Sequence, residues 1–263
     1  MALRIARLNW KTLAPWIVPA ILLLVWEIVG RLGLVSPTIL SSPGAVFRAG
    51  LSSAAAGELS RHLLVSAGRA MIGFVVGGTI GLVLGLGAGL FRSFQLLVDG
   101  PMQMVRAIPL LALVPVVIIW FGIGEQAKLF LIALAVMFPV YLNTFYGVRA
   151  VDPQLVEMGK SYGLRGFALY REVLLPGALP AVLVGVRHGL GLMWLTLVVA
   201  ETIAADKGLG YMAMNAREFM QMDVVLLTIL IYALLGKISD SMAKLLERWL
   251  LPWQSPAQRL EIA

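Results

Sequence analysis

The chain has 263 residues, 60% of them hydrophobic and 13% charged, with a formal net charge of +7 and a mean hydropathy of +0.90. A soluble domain carries roughly a quarter charged residues, so the composition excludes an ordinary water-soluble fold, and the positive charge is no ground for a nucleic-acid surface. Cysteine is absent and the histidines are His62 and His188 alone, which excludes disulfides and thiolate metal sites and leaves little material for a metal centre.

Apolar runs that approach the ~20 residues needed to cross a ~30 Å hydrocarbon core predict six spans, at about 15–29, 68–90, 105–121, 129–148, 179–200 and 224–238. Together they predict one all-α, polytopic membrane domain over 1–263. Arg4, Arg7 and Lys11 precede the first run, with no small-residue cleavage site followed by a soluble domain, so it is read as an uncleaved span. The linker 36–60 contains SPTIL, SSPG and SSAAAGE and reads as a loop leading to an interfacial helix at about 59–67. Span two carries Gly73, Gly77, Gly81, Gly85 and Gly89. Glycines four apart share one helix face and admit another helix at close range, which fits tight packing and is also compatible with a sliding gate surface.

Lys and Arg placement sets the orientation. With the N-terminus inside, the cytoplasmic segments hold Arg4, Arg7, Lys11, Arg92, Arg106, Arg149, Lys160, Arg165, Arg171, Lys237, Lys244, Arg248 and Arg259. The outer segments hold Arg31, Arg48, Arg61, Lys128, Lys207 and Arg217, while Arg69 and Arg187 lie near or within the membrane. The bias predicts both termini in the cytoplasm, and with them the polar interruption 151–180 between spans four and five.

That interruption is predicted to be a short helix–turn–helix. Asp152 can cap free backbone N–H groups, and Pro153 loses nothing at the first helical position. Leu155, Met158 and Tyr162 then fall on one face, with Glu157, Lys160 and Ser161 elsewhere. Gly163 is placed to end the helix in a left-handed conformation. A second short helix is predicted at about 166–174, with Pro176 and Pro180 at the entry to span five. Gly159-Lys160-Ser161 lacks the glycine of a phosphate loop five residues earlier, where Gln154 stands, so the chain is not expected to bind ATP itself.

Within this segment Glu157-Met158-Gly159, then Gly163, then Val173-Leu174-Leu175-Pro176 reproduce the spacing E-A-A-x3-G-x9-I-x-L-P. It resembles the loop by which permease subunits of ATP-binding-cassette (ABC) importers engage their ATPase. Met158 and Gly159 stand where alanines are usual, and Gly159 alone costs a helix up to about 1 kcal/mol. Further motifs extend the resemblance over roughly 60–248. Ile108-Pro109, Leu113-Val114-Pro115 and 120–125 (WFGIGE) are similar to permeases for nitrate, sulfonate and taurine. Gly185-Val186-Arg187, 191–196 (GLMWLT), 200–203 (AETI), 208–211 (GLGY) and 214–219 (MNAREF) are most like the aliphatic-sulfonate permease.

The resemblance implies a type I importer permease fold with cytoplasmic coupling helices between spans four and five. It implies a homodimer in the bacterial inner membrane, two ATPase subunits that carry ATP and Mg, a periplasmic solute-binding protein, and no cofactor or catalytic residue on this chain. It places ATPase docking on Asp152, Glu157, Met158, Gly159, Tyr162, Gly163, Leu164 and Pro176. The substrate class it implies is aliphatic sulfonates, with taurine, nitrate or another small anion as the alternative. A secondary transporter would leave the docking loop unexplained and often shows inverted repeats, of which the chain has no convincing instance. An intramembrane enzyme would need motifs such as H-E-x-x-H or G-x-S-x-G, and neither is present.

Charged and polar residues inside the spans complete the candidates. An Arg at mid-bilayer costs about 2.5–3.5 kcal/mol on insertion scales, so Arg187 must face the bundle or a watery cavity. Its guanidinium suits an oxyanion, and equally suits a carboxylate or backbone carbonyls. Glu201 is either a gate or binding-protein contact or a member of a structural ion pair. Trp194, Thr196, Asn143 and Tyr141 are pathway candidates that also fit packing or interhelical hydrogen bonding. His188 is expected to bond between helices. Asn215, Arg217 and Glu218 are expected outside, as a binding-protein contact or as a solvated loop.

Overall fold

A computed structural model of the protein describes residues 10–33 and 35–253. Arg4, Arg7 and Arg259, used above for orientation, lie outside these residues. The described elements are helical: α1 (Trp10–Arg31), α2 (Pro43–Ala55), α3 (Glu58–Leu90), α4 (Arg92–Ala107), α5 (Leu110–Phe121), α6 (Glu125–Arg149), α7 (Pro153–Ser161), α8 (Gly166–Leu169), a π-helical turn (Tyr170–Leu174), α9 (Leu175–Ala204), α10 (Leu209–Glu218) and α11 (Met222–Leu250). Among the described residues, four helical stretches are long and apolar enough to cross a membrane: Glu58–Leu90, Glu125–Arg149, Gly166–Ile203 and Met222–Leu250. Counting the bent pair α4–α5 as one span makes five.

Three expectations are corrected. The span predicted at 105–121 is not one helix. Pro109 biases Ile108 away from helical backbone, Ile108 is extended at ψ 123, and the two halves meet at 102°. The 12 residues of α5 reach only about 18 Å. The separate interfacial helix at 59–67 does not exist, because those residues are the first turns of the 33-residue α3. The linker 36–60 is not simply a loop either, because α2 starts within it. Ser42 accepts a hydrogen bond from the Ala45 N–H (3.3 Å) and Pro43 occupies the first turn, a start signal written in the sequence.

The chain divides into two compact units. One comprises 1–61 and 212–230. Here α1 is pinned to the start of α2: Trp26 Nε1 donates to the Ser41 carbonyl (2.9 Å) and the Gly44 N–H donates to Glu27 (3.0 Å).

The other comprises 62–211 and 231–263, and its core is built on α3, α6 and α9. Ala70, Ile132, Val136, Val140, Met193 and Leu197 form one buried cluster, with Tyr232 of α11 packed against it. The glycine stripe of α3 meets α6 directly. A Cβ on Gly77 would overlap the Ala133 carbonyl, and one on Gly85 would lie 2.7 Å from the Tyr141 carbonyl oxygen. The stripe is therefore a tight packing face. On an adjoining face of α6, a Cβ on Gly185 of α9 would lie 2.9 Å from the Pro139 carbonyl oxygen. Small residues let backbones approach where lipid gives no hydrophobic drive to association.

Candidate functional site: a surface helix–turn–helix and two charged clusters

The segment 152–164 folds as its local chemistry dictates. Asp152 Oδ1 accepts from the Gln154 N–H at 2.8 Å, capping α7. At the other end the Gly163 N–H reaches the Lys160 carbonyl (2.9 Å), the Leu164 N–H reaches the Gly159 carbonyl (3.0 Å), and Gly163 has φ +85. This pair of bonds is a Schellman closure, which needs a residue tolerant of left-handed backbone at that position.

One face of α7 is buried and the other is not. Gly159 is buried, and a Cβ there would stand 3.0 Å from Leu169 and from Val173. Its lack of a side chain lets α7 seat closely against α8 and the π turn. Val156 joins Val148, Val151 and Ala178 in a small apolar cluster. Leu155 (46% exposed), Met158 (52%), Tyr162 (82%) and Phe167 (74%) present a large apolar surface outward. Glu157 is exposed beside them, and Pro176 is half-buried at the first turn of α9.

The second predicted helix is corrected in one respect: it does not end before span five. Helix continues from Gly166 to Ile203. Proline in a helix lacks an N–H and clashes with the carbonyl four residues back, here Glu172. The π turn 170–174, closed by the Leu175 N–H on the Tyr170 carbonyl, takes up that misfit immediately before Pro176. The surface hairpin is thus an extension of the long α9 helix.

Arg187 and Asp240 form the first charged cluster. Arg187 Nε lies 2.7 Å from Asp240 Oδ1, and Lys244 Nζ lies 3.1 Å from Asp240 Oδ2. Both Arg187 and Asp240, with His188, line an open cavity of about 610 Å³. His188 is thus exposed on the cavity. Trp194 Nε1 donates to Ser239 Oγ (2.9 Å) and Asn143 Nδ2 to the Pro139 carbonyl (2.8 Å). Tyr141 and Thr196 are buried, the former with its hydroxyl 3.3 Å from Asp99.

Glu201 stands at the centre of the second cluster and is 1% exposed. Its carboxylate accepts from Ser66 Oγ (2.8 Å), Arg69 Nη1 (2.7 Å), the Gly210 N–H (3.0 Å) and Tyr232 Oη (3.1 Å). Arg69 also pairs with Glu125, which bonds Lys128 at 3.2 Å. Arg69 and Ser66 further hold the loop after α9, through the Lys207 carbonyl and the Leu209 N–H, while His62 Nδ1 accepts from the Gly208 N–H at 3.0 Å. Sequence reasoning missed Ser66, Arg69, Glu125 and Tyr232 as a group. The available signal was an Arg and a Glu left within spans, since intramembrane charges pair with one another.

Asn215, Arg217 and Glu218 lie on helix α10, with Arg217 and Glu218 exposed. Asn215 borders a polar cavity of about 560 Å³ that includes Arg48, Glu58 and Asp223.

Residues 77–252 match the family described as "Binding-protein-dependent transport system inner membrane component". The chain belongs to this family of ABC importer permeases. The permease is 54% identical over 250 residues to SsuC of Escherichia coli (strain K12), a protein named for aliphatic sulfonates transport, with 95% of each chain covered. It is 37% identical over 244 residues to the taurine transport system permease protein TauC of the same strain, covering 91% of this chain and 89% of that one. Its fold is also that of a solved chain from an amino acid ABC transporter, with a TM-score of 0.63 at 18% identity, over 76% of this permease and 96% of that chain. The permease is accordingly an all-helical, multi-pass membrane protein.

Proposed function

We propose that this permease moves aliphatic sulfonates into the cytoplasm as the translocating half of an ATP-driven importer. The observation that carries the substrate class is the 54% identity to the sulfonate permease across 95% of both chains, against 37% to the taurine permease. Two copies of the permease would work with two separate ATPase subunits and a solute-binding protein, with both termini in the cytoplasm.

The docking surface in this proposal is the outward apolar face of Met158 and Tyr162, edged by Glu157. Asp152, Gly159, Gly163 and Leu164 hold its shape, and Pro176 marks where the hairpin joins α9. Because helix runs from Gly166 to Ile203, a push on α7 by a closing ATPase would be delivered to α9 as a lever rather than lost in a flexible loop. Arg187, Trp194 and Asn143 are proposed for the inner pathway. Thr196 and Glu201 are proposed to hold the fold, because both are buried. Asn215, Arg217 and Glu218 are proposed to meet the binding protein.

The docking assignment is tested by Gly163→Pro and Glu157→Ala. Proline at 163 deletes the N–H that closes on Lys160 and forbids the left-handed backbone. Both variants should stay membrane-inserted and monodisperse, with ATP-driven uptake reduced at least tenfold and ATPase co-purification weakened. Wild-type uptake in both would refute the assignment.

A further inference from the structure

The break at Ile108-Pro109 lies level with the middle of α6. Helices α5 and α6 leave the same turn, 122–124, and pack on each other through Val114, Val117, Ala127 and Leu131, with the Phe121 and Phe130 rings 5.1 Å apart. The 12 residues of α5 reach about 18 Å, whereas the 25 of α6 reach about 37 Å. The break therefore stands near the midpoint of a helix long and apolar enough to cross a membrane. Before the break, Phe94, Val98 and Met102 of α4 pack with Tyr141 and Phe145 in the second half of α6. Helix α4 thus lies against the body of a span.

Arg106 is in the last turn of α4, just before that break. Charge placement alone sets it with the cytoplasmic cations, but the helices carry it further in. It is exposed, and among the described residues it has no hydrogen-bond or ion-pair partner. It ends a row, Arg92, Gln95, Asp99, Gln103 and Arg106, whose spacing of three and four puts all five on one face of α4. Asp99 in this row is engaged, accepting from the Tyr141 hydroxyl at 3.3 Å. Charged groups inside a span face the bundle or a water-filled cavity and mark pathways. Broken backbone at membrane depth is tolerated where it lines such a cavity or is buried in protein, and Ile108 and Pro109 are exposed. A polar row that leads to a broken span, with an unpaired cation at its end, suits the passage of a small oxyanion.

We propose that Arg106 lines the translocation pathway at the α4–α5 break and pairs there with the anionic head of the cargo in transit. Its guanidinium fork matches the oxygens of a sulfonate through paired hydrogen bonds. That the cargo is a sulfonate rests on the substrate reading above. In the two-copy assembly of that reading, each permease contributes one such arginine.

The chain has no cysteine, so one introduced thiol reports on one position. Arg106→Cys is reconstituted with the ATPase and the binding protein and treated with a cationic, water-soluble alkyl methanethiosulfonate or with a neutral one of the same size. Leu97→Cys, at an apolar position of α4 that is 73% exposed, is the control. Arg106→Cys should lower ATP-driven uptake of a labelled alkanesulfonate at least tenfold, with membrane insertion and ATPase co-purification as in wild type. The cationic reagent should restore at least half of the lost uptake and the neutral one should not. Excess alkanesulfonate should slow labelling at position 106 several-fold, while Leu97→Cys labels poorly with or without it. A thiol at 106 that does not label is covered by lipid or by the second copy. Labelling that the sulfonate does not slow, or equal recovery with both reagents, makes Arg106 a structural or headgroup-facing residue. Each of these results overturns the proposal. The wild-type complex undergoes the same treatments. If it moves no alkanesulfonate, the substrate reading falls and this assignment with it, whereas wild-type uptake with a failed thiol test discards Arg106 alone.

Discussion

Glu201→Ala is expected to cost the folded permease about 3–5 kcal/mol, the range for removing one partner of a buried ion pair. The loss reaches well beyond one contact. Ser66, Tyr232 and the Gly210 N–H lose their acceptor, and among the described residues Arg69 keeps Glu125 alone as a carboxylate partner. The side chain is fully buried, so bulk water does not reach the site, and a water taken into the space left would not supply the negative charge that faces Arg69. The loop after α9, held by Arg69 and Ser66 through Lys207 and Leu209, loosens with it. The measurement is thermal unfolding of the purified protein in detergent, beside its yield in the membrane. The double variant Arg69→Met with Glu201→Leu should recover part of the loss, because it removes both charges together. A melting temperature for Glu201→Ala equal to wild type would show that the network does not hold the fold.

Gly77→Ala should be the second severe change, although it adds one methyl group. The new Cβ would fall on the carbonyl carbon and oxygen of Ala133. Backbone cannot step aside as a flexible side chain can, so α3 must separate from α6 along the whole glycine stripe. Overpacking of this kind costs about 1–3 kcal/mol, occasionally more, and a backbone clash belongs at the upper end. Gly78 provides an internal control one residue away, because the nearest atom to a Cβ there is a Val136 methyl at 4.0 Å. Gly78→Ala should therefore melt like wild type while Gly77→Ala melts well below it. Equal melting of the two variants would contradict the direct α3–α6 contact.

The contrast between the surface hairpin and the charged clusters shows where sequence reading has its reach. Asp152, Pro153 and Gly163 act on their own neighbours, through hydrogen bonds that span only a few residues. Their roles follow from local backbone chemistry, and the structure places them as that chemistry requires. Glu201 depends on Ser66 and Arg69, separated from it by 135 and 132 positions. Nothing local distinguishes a gate carboxylate from an ion-pair carboxylate; the packing of the helices does. The same holds for Arg187, whose carboxylate lies 53 positions away on α11.

Two other differences have local signals in the sequence. Ile108-Pro109 is a break signal inside an otherwise apolar run, and Ser42-Pro43 is a helix start inside a stretch read as loop. In both, composition over a long window outweighed a two-residue signal. Gly159 is the reverse: propensity marks it as a defect in α7, whereas packing makes its missing side chain the means by which α7 seats on Leu169 and Val173.

The most direct measurement of the account is ATP-dependent uptake of a labelled short alkanesulfonate by the permease, reconstituted with its ATPase and binding protein. Unlabelled alkanesulfonates, taurine, nitrate and sulfate serve as competitors. The account predicts uptake that requires ATP and is blocked by other alkanesulfonates far better than by the remaining anions. ATP-driven uptake of taurine or nitrate with none of the alkanesulfonate would contradict the substrate, and alkanesulfonate uptake without ATP would contradict the coupling.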